Sequence, residues 1–242
     1  MVPFAHLHVH SEYSLLDGAC RIEQLVDRVA ALGQTSCALT DHGVMYGVID
    51  FYRACKAKGI HPVIGCEVYL APHSRHDRGY INGEWHSHLI LLCENMTGYK
   101  NLIHMVSLAF SEGFYMKPRI DMELLREHSE GLICMSACLA GAIPRAIANG
   151  NMDEAYEICE QFLEIFDREH FYLEIQDHGI EEQKKVNEGL YQLAKELNLD
   201  LVATNDAHYL TRADARTQDI LMAIQMGKTV DDPTRMKFET QE

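Results

Sequence analysis

The sequence predicts an α/β fold of the barrel type, folded as one domain over residues 1–242. Three observations lead there. Strand-patterned segments alternate with helix-patterned segments, giving seven strands, most of them followed by a helix. No turn between them carries the Gly-rich phosphate fingerprint of a dinucleotide fold, since Gly131 and Gly141 stand alone. No linker or low-complexity tract divides the 242 residues. Seven βα units in this length suit a closed or nearly closed barrel better than a doubly wound sheet, with a parallel sheet and crossover helices.

Each element has its own signal. Phe4 to Val9 reads as a first strand. Ile22, Leu25, Val26, Val29 and Leu32 recur at helical spacing, and Gly33 supplies the stop. Ser36 to Thr40 is a short strand, and Val48 to Lys58 is a helix closed by Gly59. Pro62 to Leu70 and His88 to Cys93 are strands, with a polar insertion from Ala71 to Ser87 between them that reads as an exposed loop. A helix follows over about 98–110. Leu132 to Ser136 leads into a helix near 140–148, and Met152 to Phe166 is amphipathic. Phe171 to Gln176, a helix over Glu181 to Leu197, Asp200 to Thr204 and a helix over about 212–225 complete the series.

Composition narrows the function. With 21 Lys+Arg against 36 Asp+Glu, a formal charge of −15 argues against a broad basic surface that binds nucleic acid by phosphate neutralisation alone. It leaves room for a local site charged by metal ions. No apolar run reaches the ~18 residues of a membrane span, and the first residues lack a secretory signal, so a cytoplasmic location is expected. The eight cysteines include no CxxC pair and read as buried free thiols, with a ligand as the exception.

The fourteen histidines carry the functional hint. In a barrel, reactive groups collect at the carboxyl ends of strands. His8 and His10 end the first strand, on one face of an extended chain, and Asp17 follows in the next loop. Asp41 and His42 end the second strand, Glu67 lies in the third, Cys138 follows the fifth, and Asp206 and His208 end the last. Imidazole, carboxylate and thiolate suit zinc and related metals. His6 shares the face of His8 and His10 and reads as a core histidine. Burying so many ionisable groups without a cation would be costly.

HLHVHSEYSLLDG, LTDHGVMYGVIDFYRACKAKGIHPVIGCEVYL, HLILLCEN, GFYMKPRID, SACLAG and TNDAHYL resemble, in order along essentially the whole chain, the motifs of the PHP (polymerase and histidinol phosphatase) domain. The form is the one carried by the bacterial replicative DNA polymerase III alpha subunit. The resemblance implies a distorted (β/α)7 barrel and a phosphoesterase site for up to three divalent ions, zinc first and manganese second. It implies nine ligands: His8, His10, Asp17, His42, Glu67, His88, Cys138, Asp206 and His208, with His10, Asp206 and His208 in catalytic roles. Asp41 would orient His42. His88 precedes its strand, unlike the other ligands, and His86 is a rival for its place.

The implied chemistry is hydrolysis of a phosphodiester at a DNA 3′ end, a 3′→5′ proofreading exonuclease within a longer polymerase. The alternative is a catalytically silent scaffold, braced by metal, that supports the polymerase core and docks a separate proofreading subunit. A small-molecule phosphatase ranks third. The chain ends at KFETQE without palm, fingers or thumb, so no polymerase activity is expected of it. Lys117 and Arg119 are candidate phosphate contacts or ordinary solvent-facing charges, and Tyr115 is a packing residue or a base-stacking one.

Overall fold

The structure is a computed structural model that describes residues 4–80 and 85–234. They fall into two compact units. The first draws on Met1–His42, Tyr46–Ile64 and Asn205–Glu242. Its first helix, α1 (Ile22–Ala31), buries Ile22, Leu25, Val26 and Val29, one stripe of a 3.6-residue period. Gly33, at φ +71°, ends it where a side chain would be strained. Strand β1 (Ser36–Leu39) pairs in parallel with the first residues of β2 (His61–Leu70), Ser36 facing His61 and Leu39 facing Ile64. Helix α2 (Val48–Ala57) connects them and buries Phe51 and Cys55.

The segment Phe4 to Val9 is not a strand. It makes isolated parallel bridges, His6 to Cys37 and Val9 to Ala207. Backbone bonds still reach it, from the Ala38 N–H to the His6 carbonyl and from the Thr40 N–H to the Val9 carbonyl, and Thr40 Oγ1 adds to them by accepting from the Val9 N–H and donating to the Val9 carbonyl. A helix over Ala215–Gln225 closes this unit.

The second unit draws on Gly43–Met45 and Gly65–Thr204. The remaining residues of β2 pair with β3 (Ser87–Cys93), and β3 pairs with β5 (Leu132–Met135), both antiparallel. The parallel sheet expected from the alternation therefore holds only in part. Strands β5, β6 (Phe171–Ile175) and β7 (Leu201–Ala203) pair in parallel. The two-residue strand β4 (Arg119–Ile120) lies parallel to the end of β2.

Helix α3 (Met96–Ser111) starts at Asn95, whose side chain accepts from the N–H groups of Thr97 and Gly98. A Cβ at Gly98 would lie 1.8 Å from the carbonyl oxygen of Gly131, so only glycine fits. Helix α4 (Met122–His128) is capped by Asp121. Helices α5 (Ala142–Ala148), α6 (Met152–Leu163) and α7 (Glu181–Leu197) complete the unit. Its core gathers Leu91, Leu102, Met105, Phe162, Phe171 and Leu193, all buried.

The described residues form seven strands, but not the seven expected: β4 is among them and the N-terminal segment is not. None of the eight cysteines forms a disulfide, and burial pushes the Cys37 and Cys159 thiols up to about 12, as packed thiols require. Among the described residues no helix is long and apolar enough to cross a membrane.

Candidate metal sites

In the first unit the chain folds back so that residues nearly two hundred positions apart meet. The N–H of His10 donates to the Ala207 carbonyl and the N–H of Ala207 to the His8 carbonyl. These bonds align the His8 and His10 side chains with Asp206, which sits at φ +49°, a strained conformation for a non-glycine residue. Asp206 Oδ1 lies 3.1 Å from Nε2 of His8 and 3.1 Å from Nε2 of His10, and the two nitrogens lie 3.1 Å apart.

That oxygen is buried and makes no well-aligned hydrogen bond. A tetrahedral zinc ion with bonds of about 2.0–2.1 Å would hold its donors about 3.3 Å apart, close to this triangle. Two imidazole nitrogens and a carboxylate oxygen this close need protons or a cation between them in a dry interior. One divalent ion satisfies all three.

Around this triangle the other side chains are held tightly. The His10 ring stacks on His42 at 4.0 Å and on His208 at 4.3 Å between centroids. His42 Nε2 lies 3.2 Å from Asp17 Oδ2, and Gln218 donates to Asp17 Oδ1 at 3.2 Å. His208 Nδ1 faces the Asp206 carbonyl at 2.8 Å, which leaves Nε2 turned toward Asp17 Oδ1 at 3.8 Å. His10, His42 and His208 form a second group of donors within 4.8 Å of one another. Gly18 is required beside Asp17, because a Cβ there would lie 2.0 Å from the Ser11 carbonyl oxygen.

Electrostatics follow the geometry. Burial alone would raise the Asp206 carboxyl, but the charges of His8, His208 and His10 outweigh it and hold the group well below the usual carboxylate range. Asp17 shows the same balance: burial opposes, and the bond from His42 with the charges of His208 and His10 lowers it. Asp41 goes the other way, because its burial exceeds the help of its bonds from Ser14 and Ser11. His6 stays apart, packed edge-on against the exposed Phe4 with its pKa lowered by burial, and it is half-buried rather than the core histidine expected.

Asp41 reaches further than expected. It accepts from the N–H and hydroxyl of Ser11 and from the hydroxyl of Ser14. Ser14 Oγ also meets Nδ1 of His10 and the N–H of His42. With its single proton given to Asp41, the Ser14 oxygen accepts from His10 Nδ1–H, which leaves Nε2 of His10 as a lone pair facing Asp206. Ser11, Ser14 and Gln218 are functional neighbours that the sequence reading missed. A serine four residues after a histidine expected to be a ligand was the available signal.

The second unit holds its own group. Glu67 is fully buried, and its Oε1 lies 2.9 Å from Nδ1 of His88. Cys138 Sγ lies 3.7 Å from the same nitrogen and 4.0 Å from the same oxygen. The antiparallel course of β3 explains why His88 precedes its strand. His88 faces Tyr69 near the end of β2, so the start of β3 lies beside the end of β2. Glu67, two residues before Tyr69, shares the face of His88, and Cys66 turns into the core. Cys138 follows Ala137 at φ +63°.

One expected phosphate contact is placed otherwise. Arg119 is fully buried, and its guanidinium donates to the carbonyls of Gly113, Trp85, Arg75 and Asp77. Its donors are occupied in pinning the loop before β3, so it cannot meet a phosphate without releasing them. Lys117 is half-buried, with Nζ 5.1 Å over the Tyr69 ring.

The chain is 49% identical to DNA polymerase III subunit alpha of Treponema pallidum (strain Nichols), over 99% of this chain and 20% of that one. It is 45% identical to DNA polymerase III subunit alpha of Thermus aquaticus, again over 99% of this chain and 20% of that one. The chain therefore spans about one fifth of the length of these relatives. Among solved structures, a Bifidobacterium adolescentis ATCC 15703 protein named for metal-dependent phosphoesterase activity shares the fold. Its TM-score is 0.58 at 13% identity, over 86% of this chain and 89% of that one. This likeness bears out the expected α/β class of distorted (β/α)7 barrel. With the PHP domain model matching residues 6–178, the chain belongs to the PHP domain family.

Proposed function

We propose that residues 1–242 act as one PHP domain of a longer, cytoplasmic DNA polymerase III alpha chain, and that the domain is a metal-dependent phosphoesterase hydrolysing DNA 3′ ends as a 3′→5′ exonuclease. The observation that carries the reading is the buried Asp206 oxygen set 3.1 Å from two imidazole nitrogens. The ligands we assign are His8, His10, Asp17, His42, Asp206 and His208 in one unit and Glu67, His88 and Cys138 in the other, for up to three ions of zinc or manganese.

Bound divalent ions would supply a Lewis acid for the phosphoryl oxygens and a means to activate water. The chain's own residues supply the rest. Asp41, acting through Ser14, fixes the tautomer of His10. Gln218 holds one Asp17 oxygen and leaves the other toward His42. His208, anchored through Nδ1, turns Nε2 toward Asp17, where it can bind an ion or carry a proton.

A second reading, the metal-braced scaffold that docks a proofreading subunit, is favoured by one feature: an ion at His8, His10 and Asp206 would staple two distant stretches of the chain. Incubation of the protein with a 3′-mismatched primer and added zinc or manganese separates the two. Release of mononucleotides that Asp206→Asn abolishes supports the exonuclease. Bound metal with no nucleotide released, even at high protein concentration, sinks it and leaves the scaffold.

A further inference from the structure

Helix α8 (Ala215–Gln225) carries a glutamine where its pattern calls for an apolar residue. Its buried side chains are Gln218, Met222 and Ala223, at i, i+4 and i+5 on one face. Gln218 is wholly buried, and a long polar side chain gives up both hydration and rotamer freedom in such a place. Its amide makes one bond: Nε2 donates to Asp17 Oδ1 at 3.2 Å, from 201 positions away in sequence. A carboxylate oxygen only accepts, so the NH2 end must face it and Oε1 is turned away. Oε1 is buried and has no hydrogen-bond partner among the described residues. A methionine would fill much the same volume without that orphan. The polarity of Gln218 serves Asp17, not the packing of α8.

Asp17 depends on that bond. It lies in a turn, outside any helix or strand. Its N–H and that of Gly18 donate to the Ser14 carbonyl, while Leu16 has φ +62° and Leu15 is 71% exposed. No regular backbone aims the carboxylate. Gln218 on Oδ1 and His42 Nε2, 3.2 Å from Oδ2, aim it from both sides.

The helix depends on Asp17 in turn. It has 11 residues, short of the about 12–15 at which a helix holds by itself in water. The apolar side chains it buries are Met222 and Ala223, and Ile220 and Ile224 are left exposed. Little else docks it.

We propose that Gln218 is a positioning residue for Asp17, and that through this bond ion binding at Asp17 and docking of α8 favour each other. The proposal rests on Asp17 as a metal ligand and not on the reaction. A carboxylate already fixed by an ion meets Gln218 at a smaller loss of freedom, and a docked Gln218 does the same for the ion. The coupling is reciprocal: the factor by which an ion favours the docked helix equals the factor by which the docked helix raises ion affinity.

Amide hydrogen exchange of residues 219–225 in the 242-residue protein tests this, in EDTA and at saturating zinc, with α1 as the measure of general stabilisation. Zinc should slow exchange in α8 about tenfold more than in α1. Gln218→Met should leave α8 exchange in EDTA little changed, lose the zinc increment, and bind zinc about tenfold more weakly in competition with a chromophoric chelator. Gln218→Glu sets a second carboxylate against Asp17 and should speed α8 exchange in EDTA.

Equal slowing in α8 and α1, or an increment in α8 that Gln218→Met retains, overturns the proposal and leaves the metal site standing. So does unchanged α8 exchange in Gln218→Glu, which would mean that the two side chains do not meet. Failure of both zinc and manganese to bind removes the assignment of Asp17, and the proposal with it.

Discussion

Ser14 Oγ lies 3.0 Å from Nδ1 of His10 while donating its own proton to Asp41. This chain of two bonds sets which nitrogen of His10 faces the Asp206 carboxylate. Ser14→Ala removes it with little change of volume. Metal affinity should fall between about 10- and 100-fold, the usual cost of losing a partner that orients a ligand. Competition with a chromophoric chelator measures it. An unchanged affinity would show that His10 is held by its stacking on His42 and His208 instead.

Ion binding should also be read as stability. His8, His10 and Asp206 are preformed as neighbours in the folded chain, and the unfolded chain scatters them. Zinc at about 100 times its Kd should therefore stabilise by about 2.7 kcal/mol, and EDTA should remove that increment. Asp206→Asn should abolish the zinc-dependent rise in Tm. The same variant without metal should also lose stability near neutral pH, because the folded chain holds the Asp206 carboxyl below its usual range and asparagine forfeits that contribution.

How much of this was legible in the sequence depends on what sequence patterns encode. The close spacing of His8 with His10 and of Asp206 with His208 pointed to one cluster, because ligand chemistry is written in residue type, and the structure brings these side chains together. Strand direction is not: the run from His88 to Cys93 looks alike read either way, so the antiparallel course of β3 stayed hidden and His88 seemed out of place. Phe4 to Val9 has the alternation of a strand but finds only single bridges at His6 and Val9. Arg119 was misplaced for a related reason. An arginine in a polar stretch reads the same whether it faces water or donates to four carbonyls. Ser14 and Gln218 are common polar types whose role exists only once the chain has closed around Asp17 and His10.

At the surface of the second unit, His170 Nδ1 lies 2.6 Å from Asp167, with Glu94 at 3.6 Å from its other nitrogen. The bond to Asp167 raises the imidazole pKa above the ordinary 6.5. A group whose pKa is higher folded than unfolded stabilises fully below the unfolded value and loses that contribution as pH rises through the folded value. The difference in urea midpoint between the parent and Asp167→Asn should therefore be larger at pH 6 than at pH 9. NMR titration of His170 should show the pKa falling in the variant. Equal differences at both pH values would assign the pair no linkage to folding.

Gly98 gives a test in which two rules oppose each other. It lies in the first turn of α3, where alanine has the better helix propensity by about 1 kcal/mol, so propensity alone makes Gly98→Ala stabilising. The structure reverses the sign. A Cβ at this position would lie 1.8 Å from the Gly131 carbonyl oxygen and 2.5 Å from its carbon, both backbone atoms. Gly131 itself sits at φ +74°, and a Cβ there would lie 2.5 Å from Asn95 Oδ1, the cap of the same helix. Neither segment can move aside without opening the cap that Asn95 provides to Thr97 and Gly98. Gly98→Ala should therefore destabilise by about 1–3 kcal/mol, the range for overpacking a close contact. Urea denaturation of the metal-free protein measures it. A gain in stability would mean that α3 and the Gly131 turn are not in the close contact described.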